Sequence, residues 1–231
     1  MRDFTIDQRL KSAADLVRQG AVLADIGTDH AYLPIFLLSH GIIERAVCSD
    51  INEGPLASAK ANVTECGFSD KVSFHLADGA RELFNTGATD YAICGMGGEL
   101  IADIIDNAPH LKNPEINLIL QPMSRQAYLR EYLYTHGFRI DREKYSHSSG
   151  KYYVCICATY TGECLTLSPI DYELGLEQSI ADKSYTGYIR VKYEALCRTI
   201  SGKTSGGASA DYELELKRAI EERLKETNDS K

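Results

Sequence analysis

Up to residue 160, short apolar runs alternate with stretches that have the period of an amphipathic helix. Continuous apolar runs are typical of strands buried on both faces of a parallel sheet, and the helical stretches end at glycines, as helices often do. The runs are GAVLADIG, RAVCSDIN, VSFHLADG, DYAICGMGG and INLILQPM. This alternation predicts a doubly wound, mostly parallel α/β sheet with right-handed crossovers.

The pattern changes after Gly137. Two strand-like runs, FRIDREKYSH and KYYVCICATY, follow with only SSG between them, so they are expected to form an antiparallel hairpin that completes the sheet. From Pro169 onward the chain carries narrow apolar stripes typical of helices. The stripe residues are Tyr172, Leu176, Ile180, Ile189, Tyr193, Leu196, Ile200, Leu216, Ile220 and Leu224.

The glycine- and serine-rich segment 201–210 is expected to be a flexible turn between the last two helices. We therefore predict two units: residues 1–165 hold the sheet, and residues 166–231 form a small, coiled-coil-like helical appendage. Structural packing or dimerisation would account for such an appendage without any further function. From this pattern we expect a monomer or a weak dimer.

Composition excludes several classes of protein. No apolar run approaches the roughly 20 residues of a membrane span, and residues 1–16 lack the apolar centre of a signal peptide. We therefore expect a cytoplasmic protein with no membrane partner. The formal net charge of −8 argues against a protein that coats nucleic acid indiscriminately.

The chain has seven cysteines, an odd number that fits buried free thiols. Cys155 and Cys157 would share one face of a strand and could hold a metal ion. However, no second pair follows at metal-ligand spacing, so we expect a core pair and no metal.

Two segments are locally basic in this acidic chain. Residues 183–203 hold five Lys or Arg against one Glu, a local net charge of +4, and residues 125–151 hold six against three acids, a net charge of +3. Each segment could be a solvated face or a nucleic-acid contact. The candidate contacts in them are Arg125, Lys151, Arg190 and Lys192.

Ligands of open parallel sheets bind beyond the carboxyl ends of the strands, near the point where the strand order reverses. The predicted strand ends carry, in order, Gly27, Asp50, Asp78 with Gly79, Gly95 to Gly98, and Gln121 with Pro122. Asp50 lies 23 residues after Gly27, where an acid can accept both hydroxyl protons of a ribose. Asp78 could accept a hydrogen bond from an adenine amine, or it could be a helix N-cap or turn former.

The first strand end, in LADIGTDHAYLP (23–34), indicates the class of cofactor. A dinucleotide needs its pyrophosphate against bare backbone N–H groups, and Asp29 would place like charge beside it. A ligand with a sulfonium and an ammonium group would instead be stabilised by a carboxylate. The segment, which also carries Asp25, therefore favours S-adenosylmethionine over NAD.

Methyl transfer would follow, with the protein supplying orientation and electrostatics. The usual amino-methylating signature, an Asp or Asn followed by two prolines and an aromatic residue, is absent after the fourth strand, where GMGG stands instead. The glycines would permit close approach of a flat ring, or they could simply form a tight strand-to-helix turn.

Several segments, in this order, resemble the bacterial tRNA (adenine(22)-N1)-methyltransferase family: ADIGTDHAYLP, SDIN, ADG, CGMGGELI, LILQPM and GKYY. The resemblance covers residues 1 to about 160, and the helical appendage also fits. It implies a class I, Rossmann-like methyltransferase fold, S-adenosylmethionine as donor, and methylation of N1 of an adenine in the D-loop region of tRNA.

The resemblance also implies roles for residues at the strand ends. Gly27 and Asp29 would line the methionine part of the cofactor, Asp25 would also bind the cofactor, and Asp50 with Ile51 would meet the ribose and adenine. The remaining positions bound the adenine, the methyl group and the substrate pocket: Asp78, Gly79, Gly95, Met96, Gly97, Gly98, Gln121 and Pro122.

A mechanism follows as a hypothesis. The target adenine must leave its stack, its N1 attacks the methyl group, and a carboxylate stabilises the cationic product or accepts its proton. Asp29 is the first candidate and His30 the second, although His30 could be a helix-start residue bonded to backbone. Tyr32 could stack on the base or belong to the core.

Two other functions stay open at this point. The first is a methyltransferase of the same fold that acts on a small molecule or a protein. The second is a non-catalytic nucleotide-binding regulatory module whose appendage binds a protein partner, and Asp29 counts against it.

Overall fold

A computed structural model describes residues 5–229, with side chains through residue 226. The predicted units 1–165 and 166–231 each have one end, residues 1–4 and 230–231, outside the described residues. Within the described range, no helix has both the length and the apolar character needed to cross a bilayer.

Seven strands between residues 5 and 229 form one sheet: β1 (Ala21–Ile26), β2 (Ile43–Asp50), β3 (Val72–Leu76), β4 (Asp90–Gly97), β5 (Asn117–Ser124), β6 (Phe138–Ser148) and β7 (Lys151–Tyr160). Their order is β3–β2–β1–β4–β5–β7–β6. The first five pair in parallel, and β7 is antiparallel to both β5 and β6. The prediction of a parallel sheet completed by a hairpin is confirmed.

In the same range the helices are α1 (Gln8–Ala14), α2 (Tyr32–Ser39), α3 (Glu53–Glu65), α4 (Gly98–Asp106), α5 (Gln126–Thr135), α6 (Pro169–Leu174), α7 (Lys183–Ser205) and α8 (Asp211–Asp229). Short 3₁₀ turns occur at Arg81–Leu83, Pro109–Leu111 and Glu177–Ala181. Apolar side chains of α1, α2 and α3 pack with one set of strand residues, and those of α4, α5 and the C-terminal helices pack with another. The sheet is therefore doubly wound.

From β1 the chain adds β2 and then β3 toward one edge of the sheet, and it then returns to add β4 on the other side of β1. The strand order therefore reverses between β1 and β4. Asp25 on β1 lies between Cys48 of β2 and Ala92 of β4. A crevice opens at the carboxyl end of such a pair of strands because the following helices lie on opposite faces of the sheet.

The hairpin places its tip at the same edge of the sheet. Leu120 of β5 lies opposite Ile156 of β7, and β7 begins five residues earlier, at Lys151. Because β7 runs against β5, Lys151 lies beyond the carboxyl end of the parallel strands. Cys155 and Cys157 are both buried, as expected of a core pair.

The C-terminal helices share a core with the sheet. Tyr172 of α6 and Tyr185 of α7 are buried in the same apolar cluster as Ile93 of β4. Beneath them, Arg130 and Glu143 form a buried ion pair in which Arg130 Nε lies 2.6 Å from Glu143 Oε1. The appendage is therefore packed against the hairpin and α5.

The turn predicted for residues 201–210 is wrong in its first half. Helix α7 continues to Ser205, and only residues 206–210 are non-helical. The helix continues because Lys203 Nζ bonds Glu213 Oε1 of α8 at 2.6 Å, so the last turn of α7 is held against its partner helix. Gly207 then takes a left-handed backbone conformation, with φ of +73°, that ends the helix.

Candidate cofactor and substrate site

A cleft of about 540 Å³ lies at the carboxyl ends of β1 to β4. This is within the range of small-molecule sites, about 300–1,000 Å³. The predicted residues that line it are Asp25, Gly27, Asp29, His30, Tyr32, Asp50, Ile51, Asp78, Gly79, Gly95 and Met96. The structure therefore brings together every residue that the sequence indicated for a cofactor, whereas Gly97, Gly98, Gln121 and Pro122 adjoin the cleft without lining it.

The loop after β1 has an unusual backbone. Gly27, Asp29 and Ala31 all have positive φ, at 70°, 47° and 56°. The backbone N–H groups of Gly27 and Thr28 donate to Ser49 O at 2.8 and 3.0 Å, which ties the loop to β2. A Cβ on residue 27 would lie 2.4 Å from Met96 Cε, so only glycine leaves that methionine in place. The loop therefore forms a cradle above residue 27, and any side chain larger than that of glycine at this position would fill it.

Asp29 and His30 project from this loop at the mouth of the cleft. The Asp29 side chain is 68% exposed, and its Oδ2 lies 3.6 Å from His30 Nε2. The His30 ring stacks on Tyr32, with centroids 5.1 Å apart and planes 20° from parallel. His30 O also accepts a hydrogen bond from Asn62 Nδ2 at 3.0 Å, which fixes the backbone of the loop.

Asp25 lies below the loop and is buried. Thr28 Oγ1 donates to Asp25 Oδ2 at 2.6 Å. Burial is the main reason that the pKa of Asp25 is raised to about 7, and the charge of Asp50 raises it further, while the Thr28 hydrogen bond opposes the shift. A carboxyl that takes up a proton near neutral pH therefore lies in the floor of the cleft.

The acids at the second and third strand ends face the same cleft. Asp50 Oδ1 accepts a hydrogen bond from Asn52 N at 2.9 Å, and its Oδ2 has no hydrogen bond within residues 5–229. Ile51 beside it is 61% exposed. Gly79 has φ of +69°, and a Cβ there would approach Ile104 to 3.3 Å, so glycine allows Ile104 to pack closely against this part of the cleft.

Sequence reasoning missed Arg9 and Leu10 of α1 and Leu100 and Ile104 of α4, which also line the cleft. Among the described lining residues, Arg9 is the only arginine or lysine. Its Nη1 donates to Gln121 Oε1 at 2.8 Å, and the same oxygen accepts from Gly95 N at 3.1 Å. The amphipathic pattern of α1 was visible in the sequence, but nothing local indicated which strand end the helix reaches.

Gly98 and Arg125 form the rim beyond β4 and β5. A Cβ on Gly98 would lie 2.4 Å from Arg125 O, so glycine allows the two segments to touch. Arg125 has φ of 58°, and its Nε bonds Glu99 Oε1 at 2.9 Å. The Gln121 side chain is fully buried, and Pro122 is buried too.

The two basic segments are less positive than a count of charges indicated. Arg130 is buried in an ion pair with Glu143. Several other lysines and arginines of the two segments also form ion pairs with aspartates or glutamates, some in the same segment and some elsewhere in the chain. These pairs are Lys144 with Asp15, Arg139 with Asp141, Lys192 with Glu173 and Lys203 with Glu213. Within residues 5–226, Lys151, Lys183, Arg190 and Arg198 have no acidic partner.

No group of three or more His, Cys, Asp or Glu side chains that could hold a metal ion occurs in the described part of the chain. Burial raises the pKa of Cys94 in the cleft wall, which favours the neutral thiol there.

A family model described as a methyltransferase domain matches residues 6–156. The tRNA (adenine(22)-N(1))-methyltransferase of Bacillus subtilis is 34% identical over 158 residues, 68% of this chain and 66% of the relative. The Mycoplasma genitalium protein MG248 is 29% identical over 140 residues, which is 62% of its length. The chain thus aligns with slightly less than two thirds of each of these relatives.

Solved structures match over nearly the whole chain. Streptococcus pneumoniae Sp1610 in complex with S-adenosyl-L-methionine has a TM-score of 0.82 and 32% identity, covering 95% of this chain and 100% of that one. M. capricolum TrmK in complex with S-adenosyl-homocysteine has a TM-score of 0.77 and 26% identity, covering 96% and 98%. The chain belongs to the methyltransferase-domain family and, within it, to the tRNA (adenine(22)-N(1))-methyltransferases.

Proposed function

We propose that this protein transfers a methyl group from S-adenosylmethionine to N1 of adenine 22 in tRNA. The observation that carries the proposal is the first loop: it bears a carboxylate, Asp29, in a glycine-type backbone conformation at the mouth of a cleft of cofactor size. A pyrophosphate would be repelled there, whereas a cationic methyl donor would be stabilised. The family to which the chain belongs supplies the adenine and its atom.

The cleft residues fit each part of this donor. Asp50, with one oxygen held by Asn52 N, presents the other to a ribose hydroxyl pair. Asp78 faces the adenine end, and Asp25 and Asp29 face the cationic groups. Arg9, which was not foreseen, is placed to pair with the carboxylate of the amino acid tail.

The pH dependence of the affinity for S-adenosylmethionine tests whether the Asp25 carboxylate takes part in donor binding. Its pKa is raised to about 7 in the ligand-free protein, and a cation favours the carboxylate, so binding below this pH must release the proton. Affinity for S-adenosylmethionine is therefore expected to be constant above about pH 8 and to fall below about pH 7, approaching tenfold per pH unit. Isothermal titration calorimetry from pH 5.5 to 8.5 measures it.

Asp25→Asn should flatten this profile, and His30→Asn should keep it, which separates the buried Asp25 from the imidazole at the mouth of the cleft. The groups that face Asp25 are Thr28, Asp50, Cys48 and Cys94, and neither thiol ionises below pH 8.5, since burial raises the pKa of both. A wild-type affinity that does not change between pH 5.5 and 8.5 would contradict the assignment.

When bound, S-adenosylmethionine supplies an electrophilic methyl group on its sulfonium. The remaining chemistry belongs to the acceptor and to the chain. The adenine is extruded from tRNA, its N1 lone pair forms the new N–CH₃ bond, and the ring becomes cationic unless its exocyclic amine loses a proton. Asp29 stabilises that charge or accepts the proton, His30 positions Asp29, and Tyr32 offers its ring to the base.

The rim and the cations of the two basic segments serve the tRNA. Gly97 and Gly98 form the rim against which the base lies, with Gly98 packed on the backbone of Arg125, and Gln121 and Pro122 shape the pocket from below by holding the end of β4. Arg125, Lys151, Arg190 and Lys192 contact phosphates, for which Arg125 and Lys192 exchange their present acidic partners. A cytoplasmic location and a monomer or weak dimer are part of the same proposal.

Transfer of a labelled methyl group tests the donor and the class of acceptor. Wild-type protein with labelled S-adenosylmethionine is expected to label total tRNA, with the signal removed by ribonuclease and absent from protein and small-molecule fractions. Labelling of a protein or a small molecule would support the first alternative function. No labelling, together with tighter binding of NAD than of S-adenosylmethionine, would support the regulatory module.

A further inference from the structure

A second groove, which we call the hairpin groove, lies where the tip of the β6–β7 hairpin meets α7. Its volume is about 310 Å³, at the lower end of ligand-site sizes. The residues that line it are Gly150, Lys151, Tyr152, Tyr188, Val191, Lys192 and Ala195. None of them lines the cofactor cleft.

The groove lies on the cofactor side of the sheet. β7 is antiparallel to β5, and Lys151 precedes Ile156, the residue opposite Leu120, by five positions. At about 3.4 Å per residue, the tip extends roughly 17 Å past Leu120 along the strand. The hairpin groove and the cofactor cleft therefore lie at the same end of the sheet, where one large substrate can contact both.

Two tyrosine rings of the groove are fixed by packing. The hydroxyl end of the Tyr152 ring contacts Gly187 of α7, where a Cβ would come within 2.3 Å of the ring, and His147 packs on Tyr152 at a centroid distance of 4.5 Å. Tyr188 is held 5.0 Å from Tyr145. Glycine is unfavourable in a helix interior, and here it permits the close approach of Tyr152.

Positive charge surrounds these rings. Lys192 Nζ lies 5.9 Å from the Tyr188 ring centroid and is paired with Glu173. Lys151, which lines the groove, is exposed and has no acidic partner within the described side chains. Val191, which also lines the groove, is 51% exposed. Aromatic rings beside an unpaired cation, in a chain of net charge −8, are complementary to a nucleotide rather than to a neutral peptide.

We propose that the hairpin groove binds one unstacked nucleotide of the tRNA, separate from the target adenine. Its base stacks on Tyr152 and Tyr188, and Lys151 contacts a flanking phosphate. This proposal rests on tRNA being the substrate. The groove would then contribute to tRNA affinity and leave the chemistry in the cleft unchanged.

The test uses the full-length protein with Tyr152→Leu and Tyr152→Phe, and with Tyr212→Leu as a matched control on an exposed tyrosine of α8. Stacking on an aromatic ring contributes about 1–3 kcal/mol per base, so Tyr152→Leu is expected to weaken tRNA binding about 5- to 150-fold. Tyr152→Phe should retain binding because it keeps the ring. The KM for tRNA should rise with Tyr152→Leu, while kcat and the affinity for S-adenosylmethionine stay unchanged.

Lys151→Ala tests the phosphate contact independently, with Lys71→Ala as the control at the opposite edge of the sheet. The slope of log affinity against log salt should become shallower by about one for Lys151→Ala and stay constant for Lys71→Ala. If Tyr152→Leu does not fold, Tyr188→Leu, which removes the second ring of the groove, decides the matter together with Lys151→Ala. Wild-type tRNA affinity and salt slope in these variants would overturn the groove proposal, whereas a wild-type protein that neither binds nor methylates tRNA would overturn the proposed function.

Discussion

Asp29→Asn is expected to lower the rate of methyl transfer about 10²- to 10⁴-fold at saturating S-adenosylmethionine and tRNA, the range typical of a lost acid–base or charge-stabilising group. Asparagine suits the test because it tolerates the left-handed backbone that Asp29 adopts, at φ of 47°, whereas alanine would add strain. The substitution therefore removes the charge of the Asp29 side chain while keeping the backbone conformation of the loop. Single-turnover kinetics with labelled donor measure the chemical step.

The same variant separates the two possible duties of Asp29. If the carboxylate mainly serves the acceptor, kcat falls and the affinity for S-adenosylmethionine changes little. If it mainly serves the sulfonium and ammonium groups, the KM for the donor rises, and the preference for S-adenosylmethionine over S-adenosyl-homocysteine declines. Asp70→Asn, an exposed acid before β3, is the matched control. Normal turnover in both Asp29→Asn and His30→Ala would refute the catalytic assignment.

Glu143→Leu is expected to destabilise the protein by about 3–5 kcal/mol, the usual cost of breaking a buried ion pair by removing one partner. Arg130 and Glu143 have side chains that are 1% and 0% exposed. Glu143 Oε2 also accepts hydrogen bonds from Leu176 N at 2.8 Å and Tyr145 Oη at 2.9 Å. The change leaves a buried guanidinium and three donors, Leu176 N, Tyr145 Oη and Ser179 Oγ, without their acceptor. Urea unfolding, followed by circular dichroism, measures the loss.

Two controls define this result. Glu131→Leu removes an exposed acid from α5 and should change the free energy of unfolding by no more than about 0.5 kcal/mol. The double variant Arg130→Met with Glu143→Leu leaves no unpaired charge and should recover much of the stability lost in the single variant. A single-variant loss below about 1 kcal/mol, or a double variant as unstable as the single one, would contradict the role of the pair.

This network also bears on the helical appendage. Leu176 N, which bonds Glu143, belongs to the segment between α6 and α7, so the appendage is attached to the hairpin by buried polar contacts as well as by apolar packing. Deleting the C-terminal helices would expose that interface. Point variants in the full-length chain therefore test tRNA contact more cleanly than truncation does.

The sequence predicted the sheet and the cleft because their signals are local. Short apolar runs ending in glycine or aspartate identify the parallel strands, and the carboxyl ends of such strands meet at one edge. Gly27, Asp50 and Asp78 could therefore be placed together without any tertiary information. The raised pKa of Asp25 could not be predicted, because it depends on burial and on the nearby Asp50.

Contacts between distant segments account for what the sequence did not reveal. Arg9 reaches Gln121 across 112 positions in the chain, and no periodicity in α1 indicates this. The basic segments were overestimated for the same reason: Lys144 pairs with Asp15, and Arg130 is buried against Glu143. Local charge counts cannot identify such partners.

Mapping the methyl group on a single tRNA transcript shows whether this protein methylates N1 of adenine 22. Wild-type protein and S-adenosylmethionine are expected to add one methyl group at N1 of adenine 22. Because that atom lies on the pairing edge of the base, reverse transcription should stop there, and mass spectrometry of the isolated nucleoside should identify 1-methyladenosine. A transcript with guanine at this position should accept no methyl group. Methylation of another base or atom, or equal labelling of the guanine transcript, would contradict the account.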